Sequence, residues 1–252
     1  MACSCDPCAL RFQDVVGGRF KLIPRERRYL PDISFSELEW ENLALPINLA
    51  FFFYSTVENT SGIGVVPASV NIHPARACQG DKIIVSGQIA VHGIAIMSVR
   101  EGLEFETQIE SDSAALNHLV EASLAANIDV HVLRDPTRGG ITSALTEIAK
   151  TAQIGIVLNE AQIPISEEVK GACEILGLDP LYVANEGKLL AVVPAEGADA
   201  VLAAMRAHQL GTMASVIGEV VDEHPGFVTM RTRVGGTRVV DMLSGEQLPR
   251  IC

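Results

Sequence analysis

Residues 130–149 read VHVLRDPTRGGITSALTEIA, and this stretch decides the fold class. Val130 to Leu133 is a short apolar run of the kind that forms a buried strand. Arg134 to Gly140 is a polar turn, with Pro136 to stop the strand and two glycines to redirect the chain. Ile141, Leu145, Ile148 and Ala149 follow at helical spacing on one face. Strand, tight turn and helix in succession make the unit from which mixed α/β domains are assembled.

The alternation continues in both directions. Upstream, Lys82 to Ser86 is an apolar run bounded by Gly80 and Gly87, so a buried strand is expected. Gly93 to Met97 is a second apolar piece that fits either element type. Leu116, Leu119, Val120 and Ser123 recur at helical spacing, with Ser113 as the expected start of that helix. Downstream, Ile154 to Leu158 predicts a strand, and Glu167 to Leu176 a helix capped by Ser166. Leu189 to Val193 predicts a strand. Ala198 to His208 predicts a helix with Ala198, Val201, Leu202 and Met205 buried. Ala214 to Val221 predicts another strand, and Phe227–Met230 with Arg238–Val240 a closing hairpin. The expected fold is α/β: a mixed α+β sheet with packed helices.

Composition bounds the rest. The chain has 252 residues, 48% hydrophobic and 20% charged, which excludes an intrinsically disordered protein. Its formal net charge of −12 disfavours non-specific attraction to nucleic acid or an anionic membrane, so neither is an expected partner. The start MACSCDPCALRFQD lacks a cationic segment followed by an apolar run, and Leu43 to Tyr54 is too short to span a bilayer. A cytoplasmic location is the resulting expectation. Aromatic residues crowd before residue 61, where nine fall from Phe12 to Tyr54, and only Phe105, Tyr182 and Phe227 follow. Residues 1–60 are therefore expected to be an atypical N-terminal segment, 61–79 a Gly/Pro-bearing loop or linker, and 80–252 the main domain.

The cysteines divide into kinds. Cys3, Cys5 and Cys8 form C-x-C-x-x-C, three thiols for a four-ligand zinc site, so no metal site is assigned. Cys173 lies at helical apolar spacing and reads as core, whereas Cys78 precedes a strand without an evident partner. Cys252 is the last residue, in Leu248-Pro249-Arg250-Ile251-Cys252. Pro249 discourages a helix, so residues 246–252 are expected to form an extended, mobile tail carrying a thiol.

Three polar clusters could carry chemistry. In Asp135-Pro136-Thr137-Arg138-Gly139-Gly140, the glycines at a helix start allow close approach of an anion. Asp135 suits a cation such as Mg²⁺, and Arg138 a phosphate or carboxylate. The plain alternative is a capped turn with a surface ion pair, and the spacing is not that of a Walker A loop. Asn185-Glu186-Gly187-Lys188 stands just before a buried strand, with Glu186 a candidate base and Lys188 its charge partner. His92 follows the first strand. The histidines show no ligand spacing with one another, and no G-x-S-x-G or H-E-x-x-H motif occurs.

Taken together, HGIAIMS with REGLEFET (92–107), LRDPTRGGI (133–141) and the block from GACEILGLDPLYVANEGKL (171–189) to the terminal PRIC resemble one family. They are similar, in order and spacing, to the C-terminal domain of HypE, a [NiFe]-hydrogenase maturation factor family. HypE belongs to the superfamily of aminoimidazole ribonucleotide synthetase and selenophosphate synthetase. The resemblance covers about residues 61–252. It implies an aminoimidazole ribonucleotide synthetase C-terminal-like domain and a role in making the cyanide ligand of the metal centre. In that role Cys252 accepts a carbamoyl group from a HypF carbamoyltransferase, ATP-dependent dehydration yields a thiocyanate, and the cyanide passes to a HypC–HypD complex. Glu186 matches the carboxylate that assists amide deprotonation. The resemblance assigns Asp135, Thr137, Arg138, Gly139, Gly140, Lys188 and His92 to ATP and Mg²⁺, and a homodimer is a further expectation.

Two departures stand out. The Gly-Asp that usually precedes the histidine is Ala90-Val91 here, and residues 1–60 do not resemble the ATP-binding domain that family members carry before this one. The segment from Cys5 to Thr56 resembles, more loosely, an uncharacterised family associated with hydrogenase gene clusters. A non-catalytic HypE-derived interaction module is the rival expectation.

Overall fold

The structure is a computed structural model that describes residues 52–55, 60–63, 71–101, 109–127 and 129–242. The N-terminal cysteines, most of REGLEFET and the tail with Cys252 lie outside the described residues. Two short strands, β1 (Phe52–Ser55) and β2 (Thr60–Ile63), pair antiparallel in their own sheet, with Phe52 opposite Ile63. All but the first residue of β2 and a 3-10 turn at Pro74–Arg76 fall within 61–79, so that stretch carries regular structure as well as loop.

The main sheet has seven strands: β3 (Lys82–Val85), β4 (Val132–Arg134), β5 (Gly155–Asn159), β6 (Leu190–Val193), β7 (Ser215–Val221), β8 (Val228–Arg231) and β9 (Thr237–Val240). Their spatial order is β4-β6-β3-β7-β5-β8-β9. All neighbours run antiparallel except β5 and β8, which are parallel. Among the described residues five helices accompany them: α1 (Val91–Glu101), α2 (Asn117–Ala126), α3 (Gly140–Ala152), α4 (Glu167–Leu176) and α5 (Ala195–Ala207). The expected mixed sheet with packed helices is what the chain forms.

The period of two along β3 and β6 explains why helices cover both faces there. Ile83, Val85, Leu190 and Val192 point into one core with Ile141, Leu145, Ile148 and Ala149 of α3. Ile84, Ala191 and Val193 point into the opposite core, with Leu119 of α2 and Val201 and Met205 of α5. A third, smaller cluster joins Ile94 of α1 to Val169, Ala172 and Cys173 of α4, with Val183 between them. Burial pushes the Cys173 thiol up to about 11, as suits an inert core sulfur.

Several local expectations are met residue for residue. Ser166 Oγ accepts from the Val169 amide at 3.3 Å and caps α4, which Gly177 ends in a left-handed conformation. The ambiguous Gly93–Met97 piece is helical, within α1. The start of α2 needs a correction. The helix begins at Asn117, with Leu116 at the cap position, rather than at Ser113. Backbone atoms of residues 112–114 are held against Gly187, where a Cβ would lie 2.5 Å from the Asp112 carbonyl and 2.6 Å from the Ala114 amide. That docking keeps the segment out of the helix.

Candidate active site

The site is assembled around residues 179–188. Asp179 opens this stretch by accepting from the Leu181 amide at 3.0 Å, which sets the 3-10 turn Pro180–Tyr182. The chain then runs buried through Val183, Ala184 and Asn185. Two glycines from other elements allow it to lie there. At Gly93 of α1 a Cβ would sit 2.9 Å from the Ala184 carbonyl. At Gly140 of α3, where φ is +62°, a Cβ would sit 2.3 Å from the Leu181 carbonyl. Thr142 adds a hydroxyl bond to the same carbonyl at 3.1 Å.

Asn185 joins the three polar clusters. Its Oδ1 accepts from the Ala90 amide at 2.7 Å, and its Nδ2 donates to the carbonyls of Pro136 and Val183, each at 3.1 Å. Its own amide donates to the Pro136 carbonyl at 3.1 Å. One buried carboxamide thus ties the start of α1 to the Asp135–Gly140 turn. Ala90 has φ +69°, a left-handed conformation that suits the glycine the resemblance leads one to expect there. The Asn185 bond helps hold that strained residue in place.

His92 is buried, and its Nδ1 lies 2.8 Å from Ser111 Oγ. Burial holds the imidazole below its ordinary value, Glu186 and Asp112 oppose that shift, and Lys188 reinforces it. Lys188 is buried, forms an ion pair with Asp112 and packs its stem over Gly87, where a Cβ would lie 3.3 Å from Lys188 Cε. Gly187 has φ +83°, and its lack of a side chain lets the Asp112–Ala114 backbone approach.

The Asp135–Gly140 turn is more open. Asp135 and Arg138 are exposed and Thr137 is half-buried. Arg134 lies 3.8 Å from Asp135 and bonds Glu147 at 2.8 Å. Gly139, with φ +79°, occupies the cap position of α3 and supplies no side-chain acceptor to the first helical amides. A helix start without a side-chain cap suits an anionic oxygen from a ligand. Asp135, at the mouth of this turn, has the hard oxygen donors that Mg²⁺ takes. The residues present therefore fit a nucleotide phosphate and its ion.

His92 lies within electrostatic reach of Glu186, Asp112 and Lys188, and Asn185 bonds the Pro136 carbonyl in the turn that carries Thr137, Gly139 and Gly140. Cys252 lies outside the described residues. Sequence reasoning missed Ser111 and Asp112, which sit in an unremarkable stretch, and it did not foresee the bridging role of Asn185. The clue for Asn185 was its place in a polar cluster at the mouth of a buried strand. Cys78 also has partners, Asp81 and His131, that its sequence neighbourhood did not suggest.

Comparison with known proteins defines the class first. Residues 79–231 match the AIR synthase related protein, C-terminal domain, and the chain belongs to that family. Residues 1–73 match a family of unknown function, DUF5947. Within the class, the chain is 59% identical over 193 residues to the carbamoyl dehydratase HypE of Cupriavidus necator, covering 77% of this chain and 55% of that protein. A crystal structure of the hydrogenase maturation protein HypE in complex with ATP aligns with TM-score 0.71 and 44% identity, covering 76% of this chain and 58% of that one. A HypE–HypF complex aligns with TM-score 0.69 and 44% identity, covering 73% and 59%. The chain spans about half the length of the curated relatives it matches.

Proposed function

We propose that this chain serves [NiFe]-hydrogenase maturation as a HypE-type carbamoyl dehydratase, in the cytoplasm, with ATP as co-substrate and Mg²⁺ as its metal cofactor. The observation that carries the reading is Asn185. It bonds the Ala90 amide before α1 and the Pro136 carbonyl of the Asp135–Gly140 turn, next to Glu186 in the chain, which supports reading these segments as parts of one site. The similarity to HypE over 193 residues supports the same reading. Residues 80–252 form the working domain, with 246–252 as the thiol-bearing tail and 1–60 as a separate N-terminal segment.

The chemistry follows from the groups present. Cys252 sulfur carries the carbamoyl group, loaded by a HypF-type carbamoyltransferase. The amide oxygen attacks the γ-phosphorus of ATP and ADP leaves, while an amide proton passes to a base. Loss of the second amide proton with departure of phosphate leaves the thiocyanate, S–C≡N, for delivery to a HypC–HypD-type acceptor. Glu186 is the proton acceptor, and the half-buried setting beside His92 limits its hydration. Lys188, Arg138 and the uncapped start of α3 counter phosphate charge. Asp135 and Thr137 offer oxygen ligands to Mg²⁺. His92, whose imidazole burial holds below its ordinary value, offers its other ring nitrogen to the nucleotide. A homodimer is the proposed assembly.

The test is intact-peptide mass spectrometry of the C-terminus after incubation with HypF, carbamoyl phosphate, Mg²⁺ and ATP, with a Cys252→Ala control. An adduct on Cys252 that then loses one water supports a dehydratase. A persistent adduct supports instead an acceptor module without turnover, and no adduct overturns the reading.

A further inference from the structure

We propose that Cys78, Asp81 and His131 form a zinc-type metal site at the edge of the sheet, independent of the site above. Their donor atoms all lie within 4.8 Å of one another. Cys78 Sγ is 3.5 Å from Asp81 Oδ1 and 3.9 Å from His131 Nδ1. Tetrahedral zinc with one sulfur, one nitrogen and one oxygen ligand separates its donors by about 3.3–3.6 Å, given the usual bond lengths. On that geometry two separations change as the ion replaces the bridging proton: the 2.7 Å hydrogen bond between Nδ1 and Asp81 Oδ2 opens by about 0.6 Å, and the 3.9 Å sulfur–nitrogen separation closes by about 0.3 Å.

Asp81 also accepts from the Cys78 amide at 2.9 Å, which on its own makes an ordinary turn. Three further features favour an ion. First, the donor set mixes thiolate, imidazole and carboxylate, a combination that suits Zn²⁺ and excludes Mg²⁺ or Ca²⁺. Second, the ligands stand on fixed backbone. Gly80 donates to the Val220 carbonyl and Val220 to the Asp81 carbonyl, each at 2.9 Å, while His131 donates to Val192 at 2.9 Å and accepts from His73 at 3.0 Å. Third, the far nitrogen of His131 faces a second carboxylate, with Nε2 3.7 Å from Asp129 Oδ2, and Arg76 holds Asp129 at 2.6 Å. Metal-bound histidines commonly present their other nitrogen to such a carboxylate.

Asp81 and His131 are buried while Cys78 is exposed, so the fourth position opens to solvent on the cysteine side. Binding is balanced by proton movement alone. The imidazole proton shifts from Nδ1 to Nε2, opposite Asp129, and the thiol proton leaves to solvent, so one proton is released per ion. The bound ion would pin the turn at 78–81 to the residue preceding β4.

The experiment is anaerobic titration of the full chain with Co²⁺, a spectroscopic stand-in for zinc, after Cys3, Cys5 and Cys8 are replaced by serine. One equivalent should bind with the ligand-field bands of a tetrahedral site and a thiolate-to-cobalt charge-transfer band. Cys78→Ser, at an exposed position, should keep the fold, abolish the charge-transfer band and weaken binding at least tenfold. Cys252→Ser should leave the band unchanged. His131→Gln, checked for folding by circular dichroism, should also lose tetrahedral binding. Absence of a charge-transfer band at saturating Co²⁺, or its survival in Cys78→Ser, overturns the site.

Discussion

Two glycine-bearing turns meet at the candidate active site, and they are built on opposite plans. The Arg134–Gly140 turn keeps its charged side chains outside, with Asp135 and Arg138 exposed. In the Val183–Lys188 turn Asn185 and Lys188 are buried and bond neighbouring segments, and Glu186 is half-buried. The first turn is the conspicuous one in sequence, yet the second holds the architecture. A turn that presents charge to a ligand can be written in consecutive residues. A turn that holds other turns in place depends on partners from elsewhere in the chain.

Substitutions in the two turns test that contrast. The largest effect is expected at Gly140→Ala, because the new Cβ meets backbone 2.3 Å away at a positive φ. A loss of about 3 kcal/mol in urea unfolding is expected, from left-handed strain plus overpacking. A loss under about 1 kcal/mol would show that the buried turn yields. Asn185→Ala comes next. It strands the Ala90 amide and removes both donations from Nδ2, for about 2–3 kcal/mol by the same measurement.

Lys188→Met keeps the stem over Gly87 but leaves Asp112 without its partner. About 1–2 kcal/mol is expected, below the cost for a fully buried pair because Asp112 is partly exposed. The same loss in Asp112→Asn would confirm that the pair acts as a unit. His92 gives a pH signature. Its imidazole titrates below the ordinary histidine value in the folded chain and at that value when unfolded. The unfolded state therefore binds the proton first, and stability falls as pH drops from near 6.5 until the folded group is also protonated. His92→Gln should flatten that part of the stability profile; an unchanged slope would assign it to another group. At the small end, Arg138→Ala should shift stability by less than about 0.5 kcal/mol, as an exposed residue does. It should weaken Mg·ATP binding about tenfold if its guanidinium meets phosphate. Equal loss of stability and binding would erase the difference between the two turns.

The legible part of the fold lay where neighbours decide. The apolar face of α3 was readable because Ile141, Leu145, Ile148 and Ala149 repeat with the helical period, and all four are buried. Ser166 was readable because a cap bonds three residues ahead. Ser113 misled for the complementary reason: its cap propensity was overridden by the docking of residues 112–114 on Gly187. The uncertain Gly93–Met97 piece shows the same limit, since a short apolar run has no period long enough to choose helix over strand.

Periodicity, capping and turn chemistry act within a few residues, so most element types, the faces they bury and the motifs that mark the family were readable along the chain. Which polar groups share a site was settled by folding. Asn185 reaches Ala90 across 95 residues and Pro136 across 49, and Cys78 meets His131 across 53. No local pattern encodes such pairs. They exist because a seven-stranded sheet places distant strand ends side by side, and burial there removes the water that would otherwise satisfy those polar groups.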